Sequence, residues 1–335
     1  MYSAEVIAGI LWLALTAYAV LAGADFGGGV WDLFASGPRA KEQRLAVAEA
    51  MGPVWEANHV WLIFMITGLF TAFPVTFGVL ALALYVPLSV ALVGIVLRGA
   101  SFAFRAHGAD AVGPMSTWGV VFGVASIVTP FFLGTAAAAV ASGSIHAPDG
   151  QLVSGFLDGW TTPLAIVIGL FSLSICAYLA ATYLMVENEN RPELLGDFRR
   201  RAIAAAFVSG VLALLALAIS FVDDQRLLRA LTDRGLPLFV LALLNGPLAL
   251  WAVWRWHPRI ARVAVIGQVA LVLWAWALGQ GPYLVPPDLT IKATAAPEAT
   301  LTAMLVVITA GGLILIPSLW LLFRVFKARN PQARA

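Results

Sequence analysis

Three places in this sequence put ionisable or strongly polar side chains against long apolar runs. In GADFGGGVWD, Asp25 and Asp32 stand seven residues apart, two helical turns on nearly one face. In GPVWEANHVWL, Glu56, Asn58 and His59 open the next apolar run, and Pro53 suits the start of a helix. The third place is Arg98, with Arg105 beyond it. A charge at the centre of a bilayer costs about 2.5–3.5 kcal/mol even on the lenient insertion scale, so each needs a reason to be there.

The chemistry open to these residues is proton handling. Glu56 and His59 are three apart, hence neighbours on one helical face, where a carboxylate and an imidazole can share a proton. A carboxylate whose charged form is desolvated can hold and release a proton near neutral pH. Plainer readings stand beside these. Gly23 and Gly27 form a GxxxG pair extended by Gly28 and Gly29, a small-residue seam along which another helix can approach, with Asp32 near its end. Asp25 lies about 20 residues into its span, which favours an intramembrane partner or a proton site. Glu56 suits the first turn of a helix, where a carboxylate meets the positive end of the dipole. Snorkelling to the interface would explain Arg98 and Arg105; the sharper alternative makes Arg98 a counter-ion to the carboxylates.

The elements that position these groups are membrane spans. Of 335 residues, 61% are hydrophobic and 11% charged, against about 25% charged in soluble domains. Apolar blocks of about 20 residues match a hydrocarbon core of about 30 Å. They predict nine spans, near 6–34, 55–74, 78–98, 118–141, 163–186, 202–222, 236–254, 261–278 and 300–323. The run Val60 to Leu97 would make one helix of about 57 Å, so it divides at a tight turn in AFPVTFG, at Pro74 and Gly78.

With nine spans the loops alternate sides, and all but four of the 20 Lys and Arg residues fall on one side; Arg226, Arg229, Arg234 and Lys292 are the exceptions. The positive-inside rule then puts the N-terminus outside and the C-terminus in the cytoplasm. Both carboxylate sites lie toward the cytoplasmic face in that orientation. Residues 1–326 read as a single polytopic domain and 327–335 as a short cytoplasmic tail. The loop from about 279 to 299, with GQGPYLVPPDL, reads as an ordered external connection. Trp residues near span ends, Trp31 among them, suit an interfacial aromatic belt. Asn245 and Gln268 suit helix-to-helix hydrogen bonds.

Other chemistries lack their residues. The single cysteine, Cys176, allows neither a disulfide nor a paired-cysteine metal site within the chain. Of His59, His107, His146 and His257, only His59 is near a span, so a haem held by two transmembrane histidines is not expected here. No phosphate-cradling loop appears, and the scattered basic clusters argue against nucleic acid as a partner.

The stretch GADFGGGVWD, then GPVWEANHVWLI and the AFP turn, closely resembles the N-terminal signature of subunit II of cytochrome bd-type quinol oxidases, including cyanide-insensitive relatives. LRGASFAFR and YLVPPDLTI extend the resemblance over essentially the whole chain, although from about 110 to 260 it is mainly one of pattern. It implies an all-α membrane fold of two four-helix bundles plus a peripheral helix, paired with a haem-bearing subunit I in a bacterial cytoplasmic membrane. It implies oxidation of quinol with reduction of oxygen to water, and b-type and d-type haems and the quinol site mainly on subunit I. A small accessory subunit and membrane lipids complete the expected partners. Subunit II is then a stabilising partner that lines a proton route, with Asp25 and Glu56 as its acidic residues and Trp55, Asn58, His59 and Arg98 as candidate supporting residues. The family more often has Asp where this chain has Glu56, and His59 matches no fixed family residue. A proton-coupled transporter and a purely structural subunit are the competing readings; the acidic residues gathered toward one face, without an evident repeat, speak against the first.

Overall fold

The computed structural model describes residues 2–51, 55–107, 116–222 and 225–328. Among these, eight helices are long and apolar enough to cross a membrane: α1 (Ser3–Leu33), α5 (Tyr85–His107), α6 (Thr117–Ser142), α7 (Pro163–Glu187), α8 (Pro192–Val222), α10 (Leu236–Trp254), α11 (Pro258–Gln280) and α12 (Glu298–Ala328). The apolar α3 (Trp55–Ala72) has 18 residues and reaches about 27 Å, taking the place of the second expected span. Shorter pieces are α2 (Ala40–Met51), α4 (Pro74–Ala83) and α9 (Gln225–Thr232). Pro53, the expected helix start, and residues 329–335 of the expected tail lie outside the described residues.

The long run from Val60 divides at Phe73, which is non-helical (φ −137°, ψ 62°), and Pro74 opens α4. Gly78, expected in the turn, lies within α4. A second break falls at Leu84, between α4 and α5. Its cause is Pro87, which has no N–H to donate and whose ring collides with the carbonyl four residues back, that of Ala83, the last residue of α4. The third span is therefore a broken helix, and α5 continues past 98 for more than two further turns. Likewise α8 begins ten residues before the apolar stretch at 202, carrying Asp197 and three arginines on its first turns.

One bundle consists of α1, α3, α5 and α6; the second consists of α7, α8, α10 and α11. In each, the first helix packs against the second and fourth, and the third against the fourth. Packing order thus repeats where the sequence shows no repeat, because helix contacts in lipid require close-fitting apolar surfaces and leave residue identity loosely constrained. Between the bundles, α1 and α6 meet α7, while α12 rests on α1 and α3 at the periphery.

The connection after α11 carries a two-stranded antiparallel hairpin, β1 (Tyr283–Val285) with β2 (Leu289–Thr290). The Ala296 amide donates to the Ala72 carbonyl at 2.8 Å, and Asp288 Oδ2 accepts from the Ala147 amide at 2.8 Å. At the opposite ends of the helices, arginines bind across elements: Arg199 donates to the Val253 and Trp254 carbonyls, Arg259 pairs with Glu189 and Arg191 with Glu49. Trp31, expected in an aromatic belt, instead donates its Nε1–H to the Ala177 carbonyl at 2.7 Å, tying α1 to α7.

Candidate proton-handling site

The site is built on α1, and glycine determines how close its neighbours come. A Cβ added at Gly27 would overlap the backbone carbonyl of Cys176 on α7, and one at Gly29 would overlap the Ser126 hydroxyl on α6. Such close approach is what small residues permit in lipid-embedded helices.

On the other face of α1, Asp25 is buried (5% exposed) and its Oδ2 accepts from Asn58 Nδ2 at 2.6 Å. Arg98 is 1% exposed. Its guanidinium carbon lies 5.1 Å from the centroid of Phe26 and 5.2 Å from that of Phe122, and it is close enough to Asp25 and Tyr18 to act on both electrostatically. Its Nε and Nη2 meet no hydrogen-bond partner. Arg98 thus does not reach the interface by snorkelling; two aromatic faces hold it inside the bundle, where cation–π attraction offsets part of its desolvation.

His59 packs its ring against Tyr18 (centroids 5.9 Å apart) and Phe26 (5.8 Å), with a buried, unpartnered Nδ1. It is turned toward α1, whereas Glu56 is exposed in the first turn of α3. The structure therefore brings together Asp25, Asn58, Arg98 and His59, and leaves Glu56 at the surface, less than one turn of α3 before Asn58. The Trp55 side chain lies outside the described residues. Tyr18 was missed in the sequence; the signal that could have found it is its spacing, seven residues before Asp25 on the same face.

Asp32 is also buried (2% exposed), and Arg105 binds both its oxygens, at 2.9 and 3.1 Å. Near the same end of α1, Asp197 on α8 takes two bonds from Arg39 (2.8 Å each), one from Gln43 (2.9 Å) and one from Arg200 (2.6 Å). Hydrogen bonding to Asp197 pushes the Arg39 guanidinium above its ordinary range, so it stays charged. Arg201 completes the group, donating to Gln43 Oε1 at 2.6 Å and to the Phe34 carbonyl at 3.3 Å. These bonds fasten α2 between the end of α1 and the start of α8.

Among the described side chains, the remaining histidines lie apart from His59. His146 sits 3.8 Å from Asp288, His257 precedes α11 beside Trp251, and the His107 side chain lies outside the described residues. No two described histidines face each other across a pair of spans, and among the described residues no group of three His, Cys, Asp or Glu could hold a metal ion.

Residues 3–326 match the family model for cytochrome bd terminal oxidase subunit II. The chain belongs to that family. A putative cytochrome bd menaquinol oxidase subunit II of Bacillus subtilis is 22% identical over 333 residues, covering 95% of this chain and 93% of that one. The cytochrome bd-I ubiquinol oxidase subunit 2 of Escherichia coli is 27% identical over 228 residues, 66% of this chain and 58% of its own length. The fold is that of a chain in the solved bd oxidase of Geobacillus thermodenitrificans, with a TM-score of 0.75 at 23% identity over 98% of this chain and 100% of that chain. The subunit II family places the chain in a bacterial respiratory oxidase complex as a multi-pass membrane component, and the buried polar group around Asp25 is read in that setting.

Proposed function

We propose that this chain is the non-haem subunit II of a quinol:oxygen oxidoreductase, that it steadies the haem-bearing subunit I, and that Asp25 and Glu56 serve a cytoplasmic proton-uptake route. The b-type and d-type haems, held by subunit I, supply electron transfer and oxygen chemistry; reducing oxygen to water consumes protons, and this chain's part is to deliver them. The observation that carries the reading is a carboxylate inside the membrane fold, 5% exposed, held by Asn58 and facing a fully buried arginine. Ionisable groups that far inside a span mark ion or proton pathways far more often than they serve packing.

The residues divide the work. Glu56, exposed where α3 begins, collects protons from the arginine-rich face, which on this reading is cytoplasmic, with the N-terminus outside. Asn58 occupies Oδ2 of Asp25, so the carboxyl carries its proton at Oδ1. Arg98, buried and close enough to Asp25 to act on it electrostatically, is the cation that faces this carboxyl. The test replaces Asp25 by Asn and Glu56 by Gln separately in the assembled, haem-loaded complex. The expected result is a fall in oxygen turnover and in proton uptake for each, with haem content retained. Unchanged turnover and uptake in both would leave these carboxylates a structural role only.

A further inference from the structure

The polar groups on α1 do not stop at Asp25. Tyr18, Asp25 and Asp32 recur every seven residues, a rise of about 10.5 Å with only about 20° of drift around the helix, so they form three storeys on one face. Arg105 serves the Asp32 storey, and Arg98, seven residues earlier on α5, which runs parallel to α1, serves the Asp25 storey. The innermost storey holds Tyr18 and His59, ring against ring.

This inner end has a second property. Tyr18 Oη, His59 Nδ1, and Arg98 Nε and Nη2 are all buried, and none has a hydrogen-bond partner within the protein. A buried polar atom left unpaired costs about 1–3 kcal/mol, so four such atoms on three neighbouring residues, His59 and Arg98 against the Phe26 ring and Tyr18 against His59, call for a shared solution. Ordered water is that solution, since one water can take three or so bonds from groups converging on a polar site.

We infer that Tyr18 and His59, joined to Arg98 by bound water, extend the proton route inward from Asp25 along one face of α1. The inference rests on the proton-route reading of Asp25. Each transfer is balanced: a water or the Tyr18 hydroxyl accepts one proton as it releases another. At His59 a proton that binds Nδ1 is matched by one leaving Nε2, so one N–H bond forms as the other breaks. His59 is the half-exposed member of the file, and so the point at which the proton passes from the bundle to whatever lies against α3.

The experiment compares Asp25→Asn, Tyr18→Phe, His59→Leu and His59→Gln in the intact complex. Oxygen turnover is measured across pH in H2O and D2O, and haem content is recorded for each. A relay predicts that Tyr18→Phe and His59→Leu each slow turnover by about tenfold or more, with a larger solvent isotope effect and a displaced pH profile. His59→Gln fills the space and keeps a hydrogen bond but cannot pass a proton, so it should be as slow as His59→Leu. If Asp25→Asn is slow while Tyr18→Phe and both His59 variants match the parent, the inner file is wrong and the Asp25 route survives. If Asp25→Asn is also unimpaired, both readings fall. Should the His59 variants lose haem, Tyr18→Phe, which removes a single oxygen atom, decides the matter by the same criteria.

Discussion

Replacing Gly27 by Ala tests whether the small face of α1 is a contact surface or merely permissive sequence. The added methyl would overlap the Cys176 carbonyl and press on the Ala180 Cβ at 2.7 Å. Neither can yield by rotating a side chain, since one is backbone and the other a methyl on the α7 scaffold, so α1 and α7 must separate. Overpacking of this kind costs about 1–3 kcal/mol, against a gain of about 1 kcal/mol from replacing Gly by Ala inside a helix. Gly9 on the same helix and Gly210 on α8 have nothing within 4 Å of an added Cβ, so their Ala variants receive the gain without the cost. The expected order of thermal stability is therefore Gly9→Ala and Gly210→Ala at or above the parent, with Gly27→Ala below both. The difference between classes is about 1–3 kcal/mol, or about 5- to 150-fold in the rate of heat inactivation if this seam opens before the complex fails. The assay is residual oxygen consumption of the purified complex after timed incubation at fixed temperature. Equal lifetimes for Gly27→Ala and Gly9→Ala would refute the reasoning.

Arg105→Ala should be among the most damaging single changes near the surface, because it leaves the buried Asp32 carboxylate without its bidentate partner, a loss of about 3–5 kcal/mol. The pair Asp32→Leu with Arg105→Leu should recover much of the loss, read as yield of assembled complex; a double variant no better than Arg105→Ala would contradict this account. In the second bundle, Asn245 Nδ2 donates to Gln268 Oε1 at 3.0 Å and to the Ala264 carbonyl at 2.7 Å, joining α10 to α11. Asn245→Leu alone should cost about 0.6–2 kcal/mol, and Asn245→Leu with Gln268→Leu less than that, since removing both partners leaves no unpaired amide; thermal inactivation of the complex measures both.

Span positions were legible because a lipid solvent leaves a blunt mark: about 20 apolar residues per crossing. The GxxxG seam was legible for a related reason, as small residues at regular spacing in apolar surroundings; Asp25 and Asn58 stood out singly as polar residues, but the sequence set Asp25 beside Glu56 and held no sign of the hydrogen bond from Asn58. The fate of Arg98 was not. Snorkelling and burial predict the same sequence, and only the rotation of α5, together with Phe26 and Phe122 on two other helices, decides between them. Tyr18 escaped notice because a tyrosine in a span is unremarkable until its hydroxyl is found without a partner. The break at Leu84 was hidden by a proline that acts on the residue four positions before it. The anchoring of α2 by Asp197 joins residues more than 150 positions apart, a distance over which local patterns are silent.

The two faces of α1 explain each other. At about 100° per residue, Gly27 lies about 200° from Asp25, and Gly23 the same in the other sense, so the glycines point away from the polar file. At Gly27 α1 is pressed against the α7 backbone so tightly that a methyl does not fit, which leaves no room for water at that contact. Across the helix, Tyr18 and Asp25 meet α3 and Asp25 and Asp32 meet α5, with Tyr18 also bordering Cys176 of α7, and polar atoms there remain to be bridged. If the file carries protons as proposed, they must not escape sideways, and one closely packed face on the same helix would serve that end. On this argument the Gly27 seam does more than hold α1 in place. A Gly27→Ala complex that survives at moderate temperature should show turnover falling together with proton retention, whereas Gly9→Ala should alter neither; measuring proton leak through reconstituted vesicles beside oxygen consumption separates a breached seal from a merely weakened contact.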